Sequence, residues 1–84
     1  MNLEDLRFEL RIVSDIARYG VHQKVADRCD INREYLWQIR KGKNVFVDSV
    51  ENRKLLQKII NTYRSIDREY LRDLEEYEKE NLSL

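Results

Sequence analysis

Apolar residues recur along this chain at the spacing of helices. Leu3, Leu6, Leu10, Val13 and Ala17 advance in steps of three and four, and Phe8, Ile12 and Ile16 widen that face. The period predicts a first helix from Leu3 to about Tyr19. Asn2 can cap its start, and Gly20 can take a left-handed stop. A short second helix is expected from about His22 to Cys29, with Val25, Ala26 and Cys29 on its inner side. Asp30, Ile31 and Asn32 leave room only for a tight turn. Asn32 is a good cap for a third helix from Arg33 to Lys41, which Gly42 ends.

Lys43 to Val47 read as a loop whose Val-Phe-Val run is too short to need a sheet. Asp48 with Glu51 forms a variant of a capping box, and Ser49 is an alternative cap. A fourth helix then carries Val50, Leu55, Leu56, Ile59, Ile60 and Tyr63 inward, to about Arg64. Ile66, Tyr70, Leu74 and Tyr77 make a further stripe, flanked by Leu71, that reads as helical to about Asn81. The pattern leaves open whether Ser65 starts a new helix or the fourth continues. The fold class expected is all-α, a compact bundle of four to five helices. Residues 1–65 are expected to form the main domain. Residues 66–84 form an acidic helix that either packs on it or dimerises.

Composition supports that picture. There are 84 residues, enough for one domain with a small core. With 38% charged residues and no proline, helices are favoured. The single cysteine, Cys29, excludes a disulfide framework within one chain and suits a reducing, cytoplasmic setting. It is expected to be a small core residue. No apolar run approaches the roughly 20 residues of a membrane span, and the polar N-terminal segment is unlike a signal peptide.

Charge changes the picture more. The formal net charge is zero, but residues 21–65 carry a net +5 and residues 66–84 a net −4. Local sign matters more than the total for a phosphate-binding surface. No chemistry points to an enzyme. There is no glycine-rich phosphate loop, no histidine pair and no metal spacing, so neither a catalytic residue nor a metal or other cofactor is expected.

Two short helices joined by a tight turn have the form of a helix-turn-helix. Ala26 is small enough for the helices to approach, and Val25, Ile31, Leu36 and Ile39 can form the wedge between them. The 23 residues from Val21 to Lys43, VHQKVADRCDINREYLWQIRKGK, resemble the lambda-repressor-like (Xre-type) helix-turn-helix family. Val25-Ala26, Ile31-Asn32, Leu36, Gln38-Ile39 and Gly42-Lys43 match its pattern without a gap. The departures are Val21-His22 for the usual Thr-Gln, Asp30 for the turn glycine, and a loop after Gly42 that is about two residues longer.

The resemblance implies a transcriptional regulator that binds double-stranded DNA, expected as a homodimer. On a helical wheel of about 100° per residue, Tyr35, Leu36 and Ile39 share one side of the third helix. Glu34, Trp37, Gln38 and Lys41 lie opposite, with Arg33 at the edge. Base reading is carried over onto Arg33, Glu34, Trp37 and Gln38. Arg33 would grip guanine, Gln38 adenine and Glu34 the amino group of cytosine. Phosphate contacts fall to His22, Gln23, Tyr35, Lys41, Lys43 and Asn44. A competing expectation is a protein-interaction module, such as a phage structural or accessory protein. It would use Trp37 as an anchor, or the C-terminal helix as a partner surface. An antitoxin would combine the two.

Overall fold

The computed structural model describes residues 2–42 and 47–82. They form four helices: α1 (Leu3–Asp15), α2 (Val21–Arg28), α3 (Arg33–Lys41) and α4 (Val50–Leu82). Among the described residues there is no strand, and no helix is long and apolar enough to cross a membrane.

The core sits where α1, α2 and α3 meet the first half of α4. Leu6 and Leu10 of α1, Val25 and Ala26 of α2, and Leu36 and Ile39 of α3 close over Leu56, Ile59, Ile60, Tyr63 and Ile66. Cys29 is buried beside them, its thiol 3.5 Å from the Thr62 hydroxyl. Burying these side chains is the main force that holds four short-range elements together.

α1 is capped by the Asn2 side chain, which accepts the Asp5 N–H at 2.8 Å. It stops at Asp15, four residues before the length its period suggests. A long-range contact wins over the local pattern there. The Arg18 guanidinium bonds Asp67 at 2.9 Å and lies 3.5 Å over the Tyr70 ring. Gly20 does adopt a left-handed conformation, φ 85°, but as the residue leading into α2. Phe8, Ile12 and Ile16 do not extend the buried face. They are exposed, because α4 covers only the side of α1 that carries Leu6, Leu10 and Ser14.

The turn between α2 and α3 closes α2 with two backbone bonds. Ile31 N–H reaches Ala26 C=O at 3.0 Å, and Asp30 N–H reaches Asp27 C=O at 3.3 Å. That paired closure needs a left-handed residue, and Asp30 supplies it with φ 56°. α3 has the bounds that its caps foretell. Asn32 accepts the Tyr35 N–H at 2.6 Å, and Gly42 ends the helix at φ 65°.

Ser49, rather than Asp48, caps α4, accepting the Asn52 N–H at 3.2 Å; Asp48 pairs with Arg53 instead. α4 then runs unbroken for 33 residues through Ser65, so no separate fifth helix forms. At 1.5 Å per residue it is about 50 Å long, which accounts for the 54 Å long axis of the molecule. From Tyr70 onward every described residue of α4 is exposed.

Candidate nucleic-acid interface

α3 turns Leu36 and Ile39 into the core and half-buries Tyr35 against it. The opposite side is left to solvent. Arg33, Glu34 and Lys41 are exposed, Trp37 is 47% exposed, and Gln38 is half-buried. Among the described residues, the side chains of Arg33, Trp37, Gln38 and Lys41 make no hydrogen bond or ion pair. All four proposed base-reading residues therefore lie on one short helix, two of them near its capped start and two in its middle.

The N-terminal turn of α2 adjoins this face. His22 is half-buried, and its Nδ1 lies 2.7 Å from the Tyr63 hydroxyl, with the rings edge to face at 5.7 Å. Burial pushes the Tyr63 phenol up to about 12, so it is neutral across the physiological range. Burial also holds the His22 imidazole below its usual 6.5, and the positive charges of Arg40, Arg33 and Lys41 lower it further. Asp15 opposes them only as the smallest of these influences. The charges of three α3 cations thus add to burial in disfavouring a protonated His22. Where the Tyr63 hydroxyl donates to Nδ1, Nε2 is left as the N–H donor of the ring.

The remaining phosphate candidates are placed unevenly. Lys41 is exposed at the end of α3. Gln23 is exposed on α2, its amide bonded to Asp27 at 2.9 Å. Tyr35 lies partly under the domain surface, with its ring against the core. Lys43 and Asn44, with most of the expected loop, lie outside the described residues.

Sequence reasoning missed a set of basic residues beside this face. Arg7 and Arg11 of α1 and Arg40 of α3 line an open groove with Lys41, about 400 Å³ in volume. The four-residue spacing of Arg7 and Arg11 was visible in the sequence. Nothing local says that the end of α3 lies alongside them. No group of three or more His, Cys, Asp or Glu that could hold a metal occurs among the described residues.

No family model matches the chain, and neither a curated protein nor a solved structure does.

Proposed function

We propose that this chain binds double-stranded DNA in a sequence-dependent way, as a small helix-turn-helix transcriptional regulator. The observation that supports it best is the outer face of α3. It carries Arg33, Glu34, Gln38 and Lys41 around the half-exposed Trp37, and Arg33, Trp37, Gln38 and Lys41 make no hydrogen bond or ion pair among the described residues. An α-helix fits the major groove, whose base edges Arg33, Gln38 and Glu34 match in donor and acceptor type. Trp37 would meet a thymine methyl or lie along a sugar. Lys41, His22 and Gln23 would then hold the phosphate backbone and set the register without reading sequence. Lys43 and Asn44, outside the described residues, keep the phosphate role that the resemblance gives them.

Trp37 is the only tryptophan, so its fluorescence tests the reading directly. Titration with mixed-sequence duplex should change the emission, and the change should weaken steeply with salt. Arg33→Ala and Gln38→Ala should relax sequence preference, at about 1–3 kcal/mol of discrimination per good bidentate pair. If no duplex binds even at low salt, the reading is wrong.

A second reading has its own observation. Tyr70, Leu71, Leu74 and Tyr77 leave an exposed apolar ridge on the free half of α4. On the helical wheel Asp67 and Glu78 fall between Leu74 and Leu71, and Asp73, Glu80 and Glu69 line the edge beyond Tyr77; Asp67 and Glu69 are paired with Arg18 and Arg28. Pairing two copies along this ridge would set acidic residues against acidic residues. The chemistry favours a protein partner with a basic, apolar surface over a homodimer formed here. Sedimentation of the chain alone should show no dimer at low salt. A dimer that strengthens as salt falls would overturn the second reading.

A further inference from the structure

We propose that the groove between α1 and the end of α3 is a second phosphate site, which holds the backbone of the duplex beyond the bases that α3 reads. This rests on the reading of α3 given above. Arg7 and Arg11 face the groove from successive turns of α1, Arg40 and Lys41 from the last turn of α3. One carboxylate, Asp15, lies among the four cations. It serves two of them at the limit of ion-pair distance, Arg40 at 3.8 Å and Arg11 at 4.0 Å, and its own side chain is 56% exposed. With four cations to one carboxylate, the described lining of the groove has an excess of positive charge.

Arg40 is held mostly out of water. Its side chain is only 12% exposed, and its Nε is buried without a hydrogen-bond partner among the described residues. A cation taken out of water needs a close anion and filled donors. Asp15 supplies neither well. A guanidinium presents a planar fork of N–H donors that suits phosphate oxygens in pairs. The Nη end of Arg40, which reaches Asp15 only at 3.8 Å, is the part a phosphate would share.

The position of the groove selects backbone over base. Lys41 lies eight residues after Arg33, about 12 Å along the helix. That equals the roughly 12 Å width of the major groove. With residues 33–38 at the base edges, the end of α3 stands at the groove rim, where the phosphates run. Exposed Phe8 offers an apolar wall that suits a sugar and not a lone inorganic anion.

Arg11 is the residue to change. Its side chain is 77% exposed, and its 4.0 Å pair with Asp15 contributes little to folding. Binding of a labelled mixed-sequence duplex would be followed by anisotropy across a salt series. The comparison set is the full chain, Arg11→Ala, Lys41→Ala, and Arg68→Ala on the acidic half of α4. Each lost phosphate contact lowers the slope of log K against log salt by about 0.9. Arg11→Ala and Lys41→Ala should each show that loss on every sequence alike, and Arg68→Ala should not. If Lys41→Ala loses slope and Arg11→Ala keeps it, the groove assignment fails while DNA binding stands. If the full chain binds no duplex at low salt, both fail. A calorimetric titration with inorganic phosphate separates the remaining source. Saturable phosphate binding lost in Arg11→Ala, with the duplex slope unchanged, would make this a free-anion site and overturn the proposal.

Discussion

Tyr63→Phe tests the link that fixes His22 to the core. The Tyr63 side chain is buried, with the residue 3% exposed, and its hydroxyl meets His22 Nδ1 at 2.7 Å. Phenylalanine keeps the ring and its packing, so no cavity term enters. What is lost is one neutral hydrogen bond. His22 is only half-buried, so its nitrogen can regain water. The loss should therefore be about 1 kcal/mol, a fall in Tm of about 4–8 °C for a domain of this size. The assay is thermal unfolding followed by helical circular dichroism at pH 7.5, where the imidazole is neutral. A double-mutant cycle with His22→Ala isolates the pair, and a coupling of at least about 0.5 kcal/mol is expected. Two changes that simply add, or a Tyr63→Phe protein as stable as the parent, would refute the argument. His22 would then be held by its own helix.

The other predictions follow from equally local features. His22 is the only histidine, so its proton resonance should titrate below 6.5 and move back up as salt screens Arg40, Arg33 and Lys41. Because the folded state disfavours the charged imidazole, the unfolded chain binds more protons below pH 6.5. Stability should fall as pH drops through that point until the folded-state pKa is passed, and His22→Gln should lessen the fall. Asn32→Ala removes the cap of α3 and should destabilise by about 1 kcal/mol in a urea melt. Asp30→Gly should raise Tm by relieving a left-handed residue, a gain under about 1 kcal/mol. Tyr77→Ser changes a side chain on the uncovered end of α4 and should leave the unfolding free energy in a urea melt within the range of about ±0.5 kcal/mol typical of surface changes.

The all-α class and the bounds of α3 were legible because they rest on short-range rules. Asn32 and Gly42 bracket α3 by chemistry that acts over three or four residues. The inward set Val25, Ala26, Ile31, Leu36 and Ile39 follows from one helical period on each side of a turn. The early stop of α1 was hidden because Arg18 answers to Asp67 and Tyr70, about fifty residues on. The exposure of Phe8, Ile12 and Ile16 was hidden for a related reason. A period shows that a face is apolar, but not how much of it a neighbour is wide enough to cover. Nor could the period show that α4 passes through Ser65 without a break. At the candidate interface, the outward residues of α3 were readable on a wheel. The meeting of Arg7 and Arg11 with Arg40 and Lys41 depends on how α1 crosses α3.

The length of α4 also gives a zero net charge an unusual meaning. Its free half carries the acidic excess to one end of a 54 Å molecule, while the basic excess stays with residues 21–65. The monopole vanishes, but a large dipole moment remains along the helix axis. In the field of any polyanion the chain feels little net pull at long range and a strong torque. Approach is then governed by alignment, with the basic body leading and the helix end trailing. The same moment lets neighbouring molecules in dilute salt line up head to tail, with no net charge to keep them apart, so solubility should improve on adding salt.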